Sequence, residues 1–259
     1  PQCGGIMKHI GTGPQKVEEE LHALFPGAKV LRMDTDTVGA SHGHEKLLRQ
    51  FEEEKIPILL GTQMVAMGLD FENVTLVGVL CADVSLYIDN YRAPERTSSL
   101  LSQVVGRAGR GSKQGRAIIQ TFTPENEVIR AAAAQDYDAF YESEIRMRRL
   151  RRYPPFADLF SFTVTGADEC RVIGAAKALH DAPGSAAERR EELKPLSIEV
   201  LGPAGASVVK VNNRYRYRVF LVGKGCPALR RLVAEYLYAF YQHKENRGLD
   251  IFADCNAIQ

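Results

Sequence analysis

The chain has 259 residues, 45% of them hydrophobic and 25% charged, a composition that is typical of soluble globular proteins and excludes a largely disordered chain. No segment approaches the roughly 20 consecutive apolar residues needed to cross a bilayer, and the amino terminus lacks a signal-peptide pattern. The five cysteines form no internal C-x-x-C pair, which indicates thiols in a reducing compartment. We therefore expect a soluble, cytoplasmic protein with no membrane partner.

Charge is unevenly distributed, although 33 Lys and Arg residues nearly balance 32 Asp and Glu residues. Residues 1–100 carry 9 basic and 14 acidic side chains, a net charge of −5. Residues 101–259 carry 24 basic and 18 acidic side chains, a net charge of +6. If the protein binds a polyanion, the second part is where we expect it to bind.

Short apolar runs alternate with helical patterns through the first 125 residues. This alternation predicts an α/β fold in which parallel strands are joined by helices that cover both faces of the sheet. The predicted strands are Lys29–Met33, Ile56–Leu60, Val74–Leu80 and Ala117–Thr121. The predicted helices are Pro14–Phe25, His42–Glu53 and Glu95–Val105.

Two helices are predicted between Asn126 and Arg152, and Tyr153-Pro154-Pro155 then ends the helical pattern because proline lacks an amide donor. We predict a domain boundary there, which leaves residues 11–155 as the first domain and 156–259 as a small α+β domain. The strands predicted in the second domain are Leu159–Thr165, Ile198–Leu201, Ser207–Val211, Arg214–Val222 and Leu249–Phe252. Its predicted helices are Asp168–Asp181, followed by a break at Pro183-Gly184, and Pro227–Gln242.

The most informative motif is Q-x-x-G-R-x-G-R at residues 103–110. Five fixed positions of this kind would arise by chance in about one chain in 10⁴ of this length. We interpret the motif as a helix that ends in glycines, from which Arg107 and Arg110 project toward a γ-phosphate. The alternative is a basic helix end whose arginines only complement the helix dipole.

A second motif, G-T-Q-M-V-A-M-G-L-D-F at residues 61–71, follows directly after a predicted strand. Backbone amides and a hydroxyl are thereby expected at the carboxyl edge of a parallel sheet, where open α/β sheets bind ligands. Together the two motifs resemble motifs five and six of superfamily-two helicases. The wider sequence resembles the carboxy-terminal half of the PriA family (primosomal protein N-prime), including L-R-M-D-T-D-T at residues 31–37 and Y-P-P-F at residues 153–156.

The resemblance implies a role for each matching residue. Residues 11–155 would form a RecA-like second helicase lobe, with Arg107 and Arg110 as arginine fingers and Gln103 near the γ-phosphate. Gly68, Asp70 and Gly106 would belong to the nucleotide site. The residues that would face the tracked DNA strand in this lobe are Arg32, Thr35, Gly61, Thr62 and Gln63.

The sequence contains no P-loop, G-x-x-x-x-G-K-[ST], and no acidic pair for magnesium, both of which a helicase motor needs. We therefore expect the chain to be the second lobe of a motor, hydrolysing almost no ATP alone. Residues 1–10, with Cys3 in P-Q-C-G-G, resemble the remnant of a cysteine-rich zinc insertion. One cysteine cannot complete a tetrahedral zinc site, so no zinc is expected here, although the full-length relative would bind it. The alternative interpretation is an incidental terminal thiol.

The segment K-V-N-N-R-Y-R-Y-R at residues 210–218 alternates strictly. On a strand, Arg214, Arg216 and Arg218 would share one face, and Tyr215 and Tyr217 the other. One interpretation is a basic stripe that binds DNA, with aromatic rings able to stack on bases. The other is a strand with solvated arginines outside and tyrosines in the core.

By resemblance, the full-length protein would be an ATP- and Mg²⁺-dependent DNA helicase with three-prime to five-prime polarity that restarts stalled bacterial replication forks. Its expected partners are forked and single-stranded DNA, single-stranded DNA-binding protein and helicase-loading proteins of the primosome. Two alternatives remain: a non-catalytic nucleic-acid-binding or protein-docking module, and a related RNA or DNA motor.

Overall fold

The computed structural model describes residues 13–33, 43–62, 74–106, 108 and 115–256. The chain divides into two compact units, one of residues 1–88 and 92–141, the other of residues 89–91 and 142–259. This division falls inside the helix Tyr137–Arg151. The domain boundary predicted at residue 155 concerns the segment after that helix and stays a prediction.

The first unit contains two pairs of parallel strands within its described residues. Strand β1 (Val30–Met33) pairs with β2 (Ile58–Gly61), and Met33 lies opposite Gly61. Strand β3 (Leu76–Val79) pairs with β4 (Arg116–Ile119). All four strands were predicted, and their parallel pairing confirms the α/β prediction for this part of the chain.

Helices connect and cover these strands. They are α1 (Pro14–Leu24), α2 (Gly43–Glu53), α3 (Asp83–Leu86), α4 (Ala93–Val105), α5 (Glu127–Ala134) and the first turns of α6 (Tyr137–Arg151). Both α1 and α2 pack on β1, whereas α4 packs on β3, β4 and α5. The buried apolar side chains at the centre of the group formed by α4, β3, β4 and α5 are Ala82, Leu86, Leu101, Ile129 and Ala132.

The second unit is an α+β fold with a four-stranded antiparallel sheet of order β6-β7-β5-β8. Its strands are β5 (Asp158–Gly166), β6 (Glu199–Val211), β7 (Arg214–Gly223) and β8 (Asp250–Cys255). Helix α7 (Glu169–Arg189) packs on β5, β6 and β7, and α8 (Pro227–Gln242) packs on β8. Within the described ranges, no helix is long and apolar enough to span a bilayer.

One face of this sheet is apolar and forms the core with the two helices. Phe162, Val164 and Val219 are fully buried on this face, and Leu229 and Leu232 of α8 pack into the same cluster. Alternation along each strand places these side chains on a single face. The opposite face carries the polar residues of the same strands.

Two predictions for this unit are wrong. Helix α7 continues to Arg189 through the predicted break at Pro183-Gly184. Proline removes only one helical donor, and Val172 and Ala176 anchor the helix in the core, so the local signal does not end it. The two strands predicted for residues 198–211 form the single strand β6, because register shifts after Leu201 and Gly205 bend the strand without ending its pairing.

Candidate functional site

The carboxyl ends of β1 and β2 lie side by side, as the parallel pairing requires. Gly61 is the last residue of β2 and lies opposite Met33, and Thr62 follows it at an exposed position. The exposed Thr62 hydroxyl and backbone are therefore at the edge where parallel sheets bind ligands. The sequence predicted this position for Gly61 and Thr62, and their contact with DNA stays a prediction.

Arg32 lies one residue before that edge and already has a partner. Its Nη1 donates to Glu18 Oε2 on α1 at 2.8 Å, and both side chains are about a quarter exposed. A partly buried ion pair of this kind fixes the guanidinium. A phosphate contact by Arg32 would therefore have to compete with Glu18.

The motif of residues 103–110 begins on α4, whose buried side is formed by Ala93, Thr97, Ser98 and Leu101. Gln103 lies on the exposed side, and its Nε2 donates to Ser99 Oγ at 3.2 Å. Helix packing thus leaves the Gln103 amide facing solvent. It is free to rotate toward a ligand after giving up one weak hydrogen bond.

Helix α4 ends at Val105, and Gly106 is its C-cap, with φ of −67° and ψ of −4°. The Ala108 N–H donates to the Val105 carbonyl at 3.2 Å, which is the hydrogen bond of a tight turn, so the chain turns at this glycine without a left-handed conformation. A Cβ at this position would lie 3.2 Å from Gln135 Nε2. A side chain here would press on the Gln135 amide, which donates to Ser102 O at 3.3 Å and would have to shift by a few tenths of an ångström.

Several of the predicted site residues lie outside the described residues. They are Cys3, Thr35, Gln63, Gly68, Asp70, Arg107 and Arg110. Their roles stay predictions. In the part of the chain that the structure describes, no group of three or more His, Cys, Asp or Glu side chains could hold a metal ion.

The sequence analysis missed a buried carboxylate, Asp83, at the start of α3. It is 3% exposed, and it accepts hydrogen bonds from Thr121 Oγ1 at 3.0 Å, Thr123 Oγ1 at 2.8 Å and the Phe122 N–H at 3.0 Å. Burial by itself would raise the pKa of Asp83, but the three hydrogen bonds outweigh burial and lower it. Asp83 thereby fixes the segment that follows β4 against α3.

The alternation of residues 214–218 is confirmed, and β7 has two chemically different faces. Tyr215 and Tyr217 pack against the apolar core, and the Tyr217 hydroxyl donates to Glu169 Oε1 at 2.8 Å. That hydrogen bond raises the pKa of Tyr217. The two tyrosines are therefore partly buried on the core side of the sheet, as the second interpretation expected of them.

The three arginines on the other face are not equivalent. Arg214 is 39% exposed and bonded: its Nε donates to Thr165 Oγ1 at 3.1 Å, and its Nη2 pairs with Asp250. Arg216 is half-buried. Arg218 is only 5% exposed, and its Nε is buried without a hydrogen-bond partner.

Burial is also the main reason that the pKa of Arg218 is lowered. The neighbouring positive charge of Arg216 lowers this pKa further, while Asp89 and Asp254 act in the opposite direction. Strand β7 therefore does not present three equally accessible cations. Arg214 and Arg216 are the more accessible of the three arginines, and their contact with DNA stays a prediction.

Comparison with known proteins identifies the two halves of the chain separately. Residues 13–112 match the family model of the helicase conserved C-terminal domain, and residues 149–256 match that of the primosomal protein N C-terminal domain.

Whole-sequence comparison finds proteins named replication restart protein PriA. The relative from Bacillus subtilis is 40% identical over 258 residues, which cover 99% of this chain and 31% of the relative. The relative from Synechocystis is 39% identical over 222 residues (85% of this chain, 26% of the relative), and that from Treponema pallidum is 35% identical over 241 residues (93% and 36%). The chain thus spans about a third of the length of the curated relatives it matches.

These matches occur in the same order along the chain as the two predicted folds. The first part is the RecA-like α/β fold of a second helicase lobe, and the second is a small α+β domain. The chain belongs to the PriA family of replication restart proteins, and it corresponds to the helicase carboxy-terminal lobe and the PriA carboxy-terminal domain.

Proposed function

We propose that this chain supplies the second motor lobe and the terminal DNA-contacting domain of an ATP-dependent helicase that acts at stalled replication forks with three-prime to five-prime polarity. The observation that carries the proposal is the match of two family models, one after the other, to a chain that aligns over 99% of its length with a replication restart protein. Both motor motifs, residues 61–71 and 103–110, lie inside the helicase match.

In this proposal the end of α4 faces the nucleotide. Arg107 and Arg110 approach the γ-phosphate and neutralise the charge that builds up on its oxygens, and Gln103 contributes its exposed amide. ATP with Mg²⁺ supplies the free energy of the cycle when it is bound to a P-loop lobe. Gly68 and Asp70 connect this region to the strand-holding residues.

The DNA strand is held at the carboxyl edge of β1 and β2. Thr62 and Gly61 offer a hydroxyl and backbone groups there, and Arg32 lies one residue before the end of β1. Thr35 and Gln63, which follow these strands along the chain, are proposed as further DNA contacts. When the two lobes close and open, this edge moves along the strand. The proposed partners beyond DNA are single-stranded DNA-binding protein and helicase-loading proteins, in the bacterial cytoplasm.

We do not propose a zinc site for the residues of this chain. Cys3 is the one candidate ligand from the cysteine-rich region, and the described cysteines, Cys81, Cys170, Cys226 and Cys255, are free thiols in no cluster. No step of the motor is therefore assigned to zinc.

The proposal is tested with a full-length protein that contains both the P-loop lobe and this chain. Arg107→Ala and Arg110→Ala should each lower DNA-stimulated ATP turnover by about 10³-fold or more while nucleotide binding is largely retained. Arg116→Ala is the matched control, because Arg116 is an exposed arginine of the same unit on β4. Near-normal hydrolysis in both finger variants would refute the assignment, and turnover stimulated by RNA rather than by forked DNA would favour a related RNA motor.

A further inference from the structure

The second unit has a cavity of about 600 Å³ at the end of α8, where β7 and β8 also contribute side chains. We call it the terminal cavity. The lining residues that bear on its chemistry are Arg214, Tyr241, Lys244, Asn246, Arg247 and Asp250. The cavity is open to solvent on one side.

The charge of the terminal cavity is positive. Arg214, Lys244 and Arg247 line it together with one acid, Asp250, which already pairs with Arg214. Lys244 and Arg247 are exposed, and neither forms an ion pair with a carboxylate in the part of the chain that the structure describes. Two cations without counter-charges in one concave surface favour an anionic ligand.

The turn that carries Lys244 and Arg247 is held in place by its neighbours. The Arg171 guanidinium donates to the carbonyls of Glu245 at 2.8 Å and Arg247 at 2.7 Å, and Asn246 Nδ2 donates to the Phe240 carbonyl at 2.8 Å. The backbone positions of the two cations are thereby fixed before any ligand arrives. Such pre-organisation lowers the entropic cost of binding.

An aromatic ring borders the same cavity. The Tyr241 hydroxyl donates to the Ile251 carbonyl at 3.1 Å and accepts from the Ile251 N–H at 3.3 Å, so the ring is anchored at its polar end. The residue is nevertheless 58% exposed, and Tyr238, one turn earlier on α8, is 71% exposed. A fixed and exposed ring beside cations is the combination that binds single-stranded nucleic acids by base stacking.

We propose that the terminal cavity binds single-stranded nucleic acid, with a backbone phosphate between Lys244 and Arg247 and an unstacked base on the Tyr241 ring. A duplex is disfavoured because its bases are stacked on each other and present no free face to the ring. The inference rests on the proposed function, which it deepens by assigning DNA contact to residues outside the helicase motifs. It also gives Arg214, held by Thr165 and Asp250, a place at the edge of the phosphate site.

The test uses the 259-residue chain and a fluorescein-labelled oligodeoxythymidylate, with binding measured by anisotropy at low and high salt. The double variant Lys244→Ala/Arg247→Ala should weaken binding about tenfold and lower the slope of log K against log salt by about 0.7 for the phosphate lost. The matched control is Lys177→Ala/Lys224→Ala, which removes two exposed charges of the same unit away from the cavity. The control should bind like the unsubstituted chain.

The ring is tested separately from the charges. Tyr241→Ala should weaken binding about tenfold without changing the salt slope, because stacking is not electrostatic. Tyr241→Phe keeps the ring and loses the anchor, so it should retain most of the affinity. A circular dichroism melt of each variant verifies that the fold is retained.

Each possible result of these binding experiments either supports or overturns the inference. Equal binding by the cavity variant and the control overturns the cavity inference while leaving the motor proposal intact, since that proposal depends on Arg107 and Arg110. If the cavity variant loses as much affinity for a duplex as for the single strand, the single-strand assignment is overturned. Competition by millimolar inorganic phosphate with no effect of Tyr241→Ala reduces the site to a free-anion site and overturns it as well. Failure of the unsubstituted chain to bind at low salt overturns both this inference and a DNA role for the terminal domain.

Discussion

Replacing Asp83 by Asn should destabilise the first unit in a pH-dependent way. Both threonine hydroxyls, of Thr121 and Thr123, donate to Oδ1, and the Phe122 N–H donates to Oδ2, all at 2.8–3.0 Å. An asparagine keeps one acceptor oxygen, so its amide group would face either the Phe122 N–H, which is a donor, or the two threonine hydroxyls, which would have to turn and accept. Losing the charged acceptor of these hydrogen bonds at a position that is 3% exposed costs about 2 kcal/mol.

The pH dependence has a definite sign. Because the folded-state pKa of Asp83 lies below its unfolded value of about 3.9, the carboxylate stabilises the fold fully above that value. This contribution is lost as pH falls through the folded pKa. The difference in the free energy of unfolding between the wild type and Asp83→Asn should therefore be full at neutral pH and shrink in acid.

Urea unfolding followed by far-ultraviolet circular dichroism measures the difference, and hydrogen exchange at the Phe122 amide reports the same site locally. Glu125→Gln is the matched control, since it removes one negative charge from an exposed position of the same unit. A further variant, Thr123→Val, deletes the shortest of the three bonds and should raise the pKa of Asp83. A difference below about 1 kcal/mol at neutral pH, or one that is unchanged in acid, would refute the reasoning.

Two further predictions concern the terminal sheet. Arg218→Met should leave the free energy of unfolding unchanged or raise it by about 1 kcal/mol, because it removes a guanidinium that is 5% exposed and has an unpaired Nε; a urea midpoint that falls clearly would contradict this. Gly202→Ala should destabilise by about 2 kcal/mol, because φ is +107° and the new Cβ would lie 2.8 Å from the Arg218 carbonyl, whereas Gly174→Ala, on a helix with open space around it, should be neutral or stabilising in the same thermal melt.

The sequence predicted regular elements well where periodicity and breakers agree. Helix α8 begins at Pro227 and ends at Gln242 as predicted, because proline at the start and an apolar face of Leu229 and Leu232 specify both its position and its packing. The parallel pairs β1–β2 and β3–β4 follow from apolar runs that alternate with helices. Break signals failed at Pro183, where packing of the upstream helix outweighs local preference.

The sites were less predictable because they depend on tertiary contacts. Alternation placed Arg214 and Arg218 on one face, yet their different burial depends on what covers each end of β7, which no local pattern records. The Asp83 cluster joins residues about 40 positions apart, and its only local signal is a T-x-T segment after a strand. The terminal cavity joins Arg214 to a turn some 30 residues later in the chain.

Strand β6 forms one margin of the described sheet, with only β7 beside it. It is 13 residues long and exposes Val208, Val209 and Val211, features that would normally invite another polypeptide to add alongside. The two register shifts interrupt the row of free backbone donors and acceptors, so an incoming strand could not stay in step with them for long. The two register shifts, which made β6 look like two strands in the sequence, thus oppose self-association of the protein through this edge strand.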